Sequence, residues 1–121
     1  MVNEAKKVAV IGAGNVGATC AFVLAERKIG EIVLLDIFEG FAKGKALDMS
    51  QGGQILNYDG RVTGTSDYKD ITNSDVVVVT SGFPRKPGMT REDLVEKNAE
   101  IITQVGNGIK KYAPDSVIVM V

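Results

Sequence analysis

Four consecutive valines, Val76 to Val79, constrain the fold of this 121-residue chain more than any other feature of its sequence. The run has no alternation between apolar and polar positions, so it predicts a strand that is buried on both faces. Strands of this kind lie in parallel sheets, because the helices that connect parallel strands cover the sheet from both sides. The run, extended to Thr80, therefore predicts the interior of an α/β protein.

Short apolar runs and longer amphipathic stretches alternate along the chain, which predicts strand–helix–strand units and a parallel sheet. The third strand is polar and is expected at a sheet edge, whereas the fifth is apolar throughout and is expected to be buried. Gly30 is expected to end the first helix. The predicted strands cover residues 7–11, 32–35, 60–64, 76–80 and 117–121, and the first two predicted helices cover residues 15–28 and 40–51.

The clearest helix begins after Thr90. Thr90 and Asp93 resemble a capping box in which aspartate replaces the usual glutamate or glutamine. Asn98 lies on the apolar side of this helix, where a polar side chain needs a partner, and that partner could be a cofactor or a loop carbonyl. The apolar stripe predicted for the helix consists of Leu94, Ile101, Ile102, Val105 and Ile109.

The chain contains no histidine and one cysteine, Cys20. It therefore cannot form a Ser-His-Asp or Cys-His pair, and no metal site is expected. A formal charge of −1 gives no reason to expect nucleic acid or an anionic membrane as a partner, and no apolar run approaches the roughly 20 residues of a membrane span. Cys20 cannot form an intrachain disulfide and is expected to pack inside the first helix, which fits a cytoplasmic protein.

A glycine motif, Gly12-Ala13-Gly14-Asn15-Val16-Gly17, directly follows the first strand and opens the first helix. In this position G-x-G-x-x-G is typical of dinucleotide-binding turns. Gly12 permits a tight turn, Gly14 lets a pyrophosphate approach the backbone, and Gly17 allows the helix to pack closely on the strand. The alternative is a strand–helix turn with a purely structural role.

Asp36 ends the second strand, 19 residues beyond Gly17. A carboxylate at this point can accept hydrogen bonds from both ribose hydroxyls of the adenosine and repels a 2′-phosphate, so NAD is favoured over NADP as the cofactor. The alternative is a solvated aspartate at a strand end. Together these features predict a Rossmann-type doubly wound parallel sheet of five strands in the order 3-2-1-4-5, formed by residues 1–121 and truncated before a sixth strand.

The segment 81–91 leaves the valine strand at the edge where open α/β sheets bind ligands. Gly82 and Gly88 could act as hinges, so that the loop closes over a ligand. Arg85 and Arg91, six residues apart, suit a small anionic substrate, because each guanidinium can hold a carboxylate through two hydrogen bonds. The alternative is a solvated basic loop.

Five stretches together resemble the malate/lactate dehydrogenase family, and in particular its malate dehydrogenases: residues 10–17, 35–37, 44–49, 74–82 and 85–94. The resemblance implies that Arg85 binds the distal carboxylate of the substrate, where lactate dehydrogenases usually have glutamine. It implies that Arg91 both binds substrate and acts catalytically by polarising the C2 carbonyl. The implied NAD site consists of Gly12, Gly14, Asn15, Val16, Gly17, Asp36, Thr80, Ser81, Gly82 and Asn98.

The sequence also departs from this family. The resemblance implies a catalytic histidine, its aspartate partner and a further substrate arginine, all in a C-terminal domain that this chain does not contain. We therefore expect the chain to bind NAD without catalysing malate oxidation alone, and the parent enzyme to be a homo-oligomer with a small dicarboxylate substrate. Two alternatives stay open, a non-catalytic NAD-sensing module and a lactate or other 2-hydroxy-acid dehydrogenase. We also expect the apolar fifth strand to be an open edge that self-associates.

Overall fold

The computed structural model describes residues 6–56, 62–82 and 85–121 and contains five strands and three α-helices in these ranges. The strands are β1 (Lys6–Ile11), β2 (Gly30–Leu35), β3 (Val62–Thr65), β4 (Val76–Val79) and β5 (Val117–Met120). The helices are α1 (Asn15–Glu26), α2 (Glu39–Leu56) and α3 (Arg91–Tyr112), and a short 3-10 helix covers Tyr68–Ile71. Residues 60 and 61 of the predicted third strand lie outside the described residues.

All strands are parallel, and their order in the sheet is β3-β2-β1-β4-β5. The predicted topology is therefore confirmed, including the edge position of the polar strand β3. Ile11, the last residue of β1, lies level with Leu35 on one side and with Val79 on the other. The carboxyl ends of the three central strands consequently meet at one edge of the sheet.

Two apolar cores lie on opposite faces of the sheet. Helices α1 and α2 cover one face with small side chains such as Ala21 and Ala42, which pack near Val10 and Leu34. Helix α3 and the 3-10 helix cover the other face. Three of the four valines of β4 are buried between these layers, as the valine run predicts.

The end of α1 differs from the prediction. The helix ends at Glu26, and Lys28 turns the chain with a φ of 56°. Gly30 is not the terminator: it is the first residue of β2 and pairs with Lys6. A Cβ at Gly30 would collide with the carbonyl oxygen of Lys6, so glycine is needed there for the close approach of two strands.

Helix α3 begins with the predicted capping box. The Thr90 hydroxyl accepts a hydrogen bond from the Asp93 amide, and the Asp93 carboxylate accepts one from the Thr90 amide, each at 3.1 Å. Val105 and Ile109 are buried as predicted. The inclusion of Ile102 in the stripe is wrong, because its side chain is 38% exposed and takes no part in the core that contains Ile109.

Strand β5 forms as predicted, but the expectation that it is buried is wrong. Its side chains are between 45% and 63% exposed, since β4 is its sole neighbour in the sheet within the described ranges. The strand is therefore an open apolar edge. No α-helix in the described part of the chain is long and apolar enough to cross a membrane.

The 3-10 helix is an element that the sequence does not predict. Asp67 caps it by accepting a hydrogen bond from the Lys69 amide at 2.9 Å, and Ile71 at its end is completely buried. A four-residue element of this kind has too few positions for an apolar period to show, so its sequence indicates a polar loop.

Candidate nucleotide-binding site

Three turns lie side by side at the carboxyl edge of the sheet: the glycine turn after β1, Asp36 after β2 and Thr80 after β4. Backbone hydrogen bonds continue the sheet pattern into these turns. The Gly12 amide donates to the Leu35 carbonyl at 2.7 Å, and the Thr80 amide donates to the Ile11 carbonyl at 2.9 Å. The fold thus brings the glycine motif, the aspartate and the start of the basic loop together, as the sequence predicts.

The three glycines of the motif have different surroundings. Gly12 adopts a φ of +105°, which side chains strongly disfavour, and so forms the tight turn. A Cβ at Gly17 would overlap the carbonyl oxygen of Gly12, so α1 can approach the turn only with glycine at this position. Gly14 faces open space, and a Cβ at this position would meet no atom within 4 Å. A ligand can therefore come close to the backbone at Gly14.

Thr80 fixes the glycine turn from the neighbouring strand. Its hydroxyl lies 3.0 Å from the Ile11 carbonyl oxygen and 3.1 Å from that of Gly12. The same oxygen lies 2.7 Å from where a Cβ would stand at both Gly12 and Gly17. The sequence predicts Thr80 at the cofactor site but gives no sign of this second role, which depends on the alignment of β4 with β1.

The amino terminus of α1 has no side-chain cap within the described residues. Gly14 at the cap position provides no side-chain hydrogen bond, and the first turn contains no acidic residue. The first backbone N–H groups of a helix lack partners within the helix and carry a partial positive charge, which suits an anion. Helix α3 is the contrast, because its capping box and its acidic residues Glu92 and Asp93 already satisfy that terminus.

The carboxylate of Asp36 is held in one orientation. One oxygen accepts a hydrogen bond from the Ala13 amide at 2.8 Å, and the other accepts one from the Phe38 amide at 3.0 Å. Ala13 belongs to the glycine turn, so the carboxylate is tied to that turn. Each carboxylate oxygen can accept a further hydrogen bond, which leaves capacity for two hydroxyl donors.

Gly82 and Asn98 approach each other where the segment after β4 passes α3, and Ser81 directly precedes Gly82. A Cβ at Gly82 would lie 3.8 Å from the side-chain oxygen of Asn98. Asn98 and Ser81 are half-buried, and Gly82 is exposed. The structure therefore brings Asn98 to the carboxyl edge of β4, whereas Phe83 and Pro84 of the predicted loop lie outside the described residues.

Arg85 and Arg91 are both exposed. Within the described ranges, neither guanidinium makes an ion pair or a hydrogen bond with the protein. Arg91 is the first residue of α3, and Arg85 precedes a turn that leads into the same helix. Two positive charges thus stand at and just before the start of α3 without a counter-ion from the described part of the chain.

Neither a reactive thiol nor a metal-binding cluster is found at this site among the described residues. Cys20 is half-buried against the core on the α1 face, and burial raises the pKa of its thiol above the usual value of 9.0. This disfavours the thiolate that a nucleophile requires. Residues 6–56, 62–82 and 85–121 hold no group of three His, Cys, Asp or Glu side chains that could bind a metal ion.

Comparison with known proteins agrees with this geometry. The family described as "lactate/malate dehydrogenase, NAD binding domain" matches residues 6–121. A malate dehydrogenase from Methanosarcina barkeri is 56% identical over 115 residues, which cover 95% of this chain and 38% of that protein. The chain thus spans little more than a third of the length of the curated relatives it matches.

Solved structures show the same fold. The malate dehydrogenase from Picrophilus torridus in its apo form has a TM-score of 0.88 at 47% identity, and the match covers 97% of this chain and 38% of that protein. A lactate dehydrogenase from Cryptosporidium parvum, complexed with lactic acid and NAD, has a TM-score of 0.89 at 38% identity, and the match covers 99% of this chain and 38% of that protein. The chain therefore belongs to the lactate/malate dehydrogenase family and forms its NAD-binding domain.

Proposed function

We propose that this chain provides the cofactor site and two substrate-binding arginines of an NAD-dependent malate dehydrogenase, which interconverts malate and oxaloacetate. The observation that carries the proposal is the pair of exposed guanidiniums, Arg85 and Arg91, which lie on the segment that follows β4 in the sequence and have no counter-ions in the described part of the chain. A dicarboxylate would supply both counter-ions. The similarity to proteins named malate dehydrogenase supports the same choice.

We assign the cofactor contacts as follows. The pyrophosphate lies against the open space at Gly14 and the uncapped amino terminus of α1. The fixed carboxylate of Asp36 accepts hydrogen bonds from the ribose hydroxyls and repels a 2′-phosphate. When bound, NAD supplies the hydride acceptor. The remaining contacts are assigned to Gly12, Asn15, Val16, Gly17, Thr80, Ser81, Gly82 and Asn98.

The two arginines have different tasks. Arg85 pairs with the carboxylate distant from the reacting carbon, where a neutral glutamine would leave that charge without a partner. Arg91 donates hydrogen bonds to the C2 oxygen and stabilises the negative charge that develops there in the transition state. This choice favours malate over lactate, because lactate has no second carboxylate for Arg85.

The chain alone lacks the histidine that the family resemblance implies as the proton-transfer group. It has no histidine, and its one cysteine is partly buried with a raised pKa. We therefore propose that residues 1–121 bind NAD as one domain and that catalysis requires the further residues that the longer relatives contain. We further propose that the complete enzyme is a cytoplasmic homo-oligomer. Turnover of oxaloacetate with NADH by the purified 121-residue chain would contradict the proposal that this chain binds NAD but cannot catalyse the reaction alone.

The proposal is tested by replacing Arg85 with Gln in the full-length protein. Loss of a charge-assisted hydrogen-bond pair costs about 3 kcal/mol, so kcat/KM for oxaloacetate is expected to fall about 10²-fold. Arg27→Gln is the matched control, because Arg27 is exposed at the other end of α1, at the opposite edge of the sheet. Unchanged malate activity in Arg85→Gln contradicts the substrate assignment. A wild-type protein that binds NAD without any dehydrogenase activity favours the non-catalytic module.

A further inference from the structure

Asp36 is held by its backbone as well as by its carboxylate. The Asp36 amide donates a hydrogen bond to the Thr65 carbonyl at 3.0 Å, which continues the pairing of β2 with β3 beyond Leu35. The Asp36 carboxylate accepts a hydrogen bond from the Ala13 amide of the glycine turn. Asp36 therefore bridges the end of β3 and the glycine turn, and its position depends on that of Thr65.

Thr65 is buried, with 5% of its surface exposed, and its hydroxyl takes part in two hydrogen bonds. The hydroxyl oxygen accepts a hydrogen bond from the Asp67 amide at 3.0 Å, and the hydroxyl donates to the Asp70 carboxylate. Hydrogen bonds to an ionised acceptor are stronger than those between neutral groups. The hydroxyl thus ties the last residue of β3 to the segment that follows it.

Asp70 belongs to an element that is itself well packed. It lies in the 3-10 helix, whose last residue, Ile71, is completely buried. The ring of Tyr68, at the other end of this helix, occupies the place that a Cβ at Gly108 of α3 would take. The 3-10 helix therefore packs against both the core and α3, and Asp70 presents its carboxylate to Thr65 from this anchored position.

Burial alone does not call for threonine at position 65. Valine has nearly the same shape, suits a buried strand position and needs no hydrogen-bond partner. What threonine adds is the pair of hydrogen bonds that holds the end of β3, and Asp36 is bonded to that end.

We propose that Thr65 and Asp70 are positioning residues for Asp36. The Thr65 hydroxyl fixes the end of β3, the Thr65 carbonyl fixes the Asp36 backbone, and Asp70 acts only through Thr65. The inference rests on the proposed function in one respect, the assignment of Asp36 to the ribose hydroxyls of NAD. Thr65 then holds the ribose-binding residue from β3, as Thr80 holds the glycine turn from β4.

The consequence is a sharper selection between NADH and NADPH. A carboxylate with a fixed backbone keeps its alignment with the two ribose hydroxyls and its repulsion of a 2′-phosphate. A carboxylate on a mobile backbone would turn aside and accept the two nucleotides more evenly. Thr65 therefore affects the discrimination without contacting the nucleotide.

Calorimetric binding to the 121-residue chain tests this role through a double-mutant cycle with Asp36→Ala. Thr65→Val is expected to weaken NADH binding about tenfold and to reduce the preference for NADH over NADPH. In the Asp36→Ala background, Thr65→Val is expected to change the affinity for NADH less than about twofold, because the residue through which it acts is already gone. A residue that only stabilises the fold would have the same effect in both backgrounds.

Three further variants separate positioning from stability. Thr65→Ser keeps the hydroxyl and is expected to bind NADH as the wild type does. Asp70→Ala removes the acceptor and is expected to weaken NADH binding in the same direction as Thr65→Val. Ser74→Ala is the matched control, because Ser74 is also buried and its hydroxyl donates to the Ile71 carbonyl at 2.6 Å, just before the amino end of β4. This control is expected to lose stability while keeping its affinity for NADH.

Hydrogen exchange of the Asp36 amide tests the positioning without any ligand. Thr65→Val is expected to speed exchange at this amide about fivefold relative to Ser74→Ala, which is the effect of one hydrogen bond on a local opening. Equal exchange in these two variants would overturn the proposal.

The binding data can overturn the proposal as well. Equal effects of Thr65→Val on NADH affinity in the two backgrounds would do so, and so would equal losses in Thr65→Val and Thr65→Ser. If Thr65→Val does not fold, Asp70→Ala takes its place in the cycle and in the exchange measurement. If the wild-type chain binds neither nucleotide, the proposed function fails, whereas hydrogen exchange still decides whether Thr65 holds Asp36.

Discussion

Thr80 provides a sharp test of how the glycine turn is held. Replacing it with valine keeps the size of the side chain but removes the hydroxyl that lies within 3.1 Å of the Ile11 and Gly12 carbonyl oxygens. The Ile11 carbonyl keeps the Thr80 amide as a donor, so the loss falls mainly on Gly12. The substitution therefore removes one hydrogen bond at a half-buried position without creating a cavity.

The expected cost follows from that single bond. A hydrogen bond contributes about 1 kcal/mol net, and a buried acceptor left without its donor costs somewhat more, so the free energy of unfolding should fall by about 1.5 kcal/mol. For a domain of this size, that corresponds to a melting temperature lower by about 6 °C. The affinity for NADH should fall as well, because the turn that we propose faces the cofactor is less well held.

Thermal and urea unfolding of three variants measures this effect. Thr80→Ser keeps the hydroxyl and should lose less stability than Thr80→Val. Thr103→Val is the control for the substitution itself, since the Thr103 hydroxyl is exposed and donates only to the Ala99 carbonyl within α3, at 2.7 Å. Equal stability of Thr80→Val and Thr103→Val would refute the role of the hydroxyl, and so would a loss in Thr80→Ser as large as that in Thr80→Val.

Gly17, Gly14 and Tyr68 offer three more tests. Gly17→Ala should lower the free energy of unfolding, measured by urea titration, by about 2–3 kcal/mol. The reason is that the new Cβ overlaps the Gly12 carbonyl oxygen, and this overpacking forces the backbone to shift. Wild-type stability of Gly17→Ala would contradict the packing role of Gly17. Gly14→Ala should leave the stability of the protein unchanged, because a Cβ at this position meets open space. Calorimetry should nevertheless show weaker NADH binding by this variant. Unchanged affinity for NADH would place the pyrophosphate elsewhere. Burial raises the pKa of Tyr68 above 10.0, so the folded state loses stability as the pH rises above that value, where the unfolded chain ionises first. Tyr68→Phe should remove this alkaline slope from unfolding curves, and an unaltered slope would assign it to another group.

Much of the fold could be predicted because its signals are local and periodic. The valines of β4 indicate a strand covered on both faces, and the capping box of Thr90 and Asp93 marks the start of α3. The glycine motif predicts a different reason for glycine at each of its three positions. The structure shows such a reason at Gly12, which has a positive φ, and at Gly17, where a Cβ would overlap the Gly12 carbonyl oxygen. Each of these signals is complete within a few residues.

What could not be predicted depends on contacts between distant segments. Whether β5 is buried or forms an open edge is set by what packs on it, and its apolar sequence fits both expectations. The role of Thr80 needs the alignment of β4 with β1, and that of Gly30 needs the pairing of β2 with Lys6. In the candidate site, the residue types and their spacing predict the residues, whereas the hydrogen bonds that hold Asp36 to the glycine turn depend on the folded chain.

The most direct test of the nucleotide site is a calorimetric comparison of NADH and NADPH binding to the purified 121-residue chain, with Asp36→Ala alongside. We predict that NADH binds and that NADPH binds more weakly, because its 2′-phosphate meets the fixed Asp36 carboxylate. Asp36→Ala should weaken NADH binding and reduce the difference between the two nucleotides. Equal affinity of the wild-type chain for NADH and NADPH, or no binding of NADH, would contradict the assignment of this edge as an NAD site.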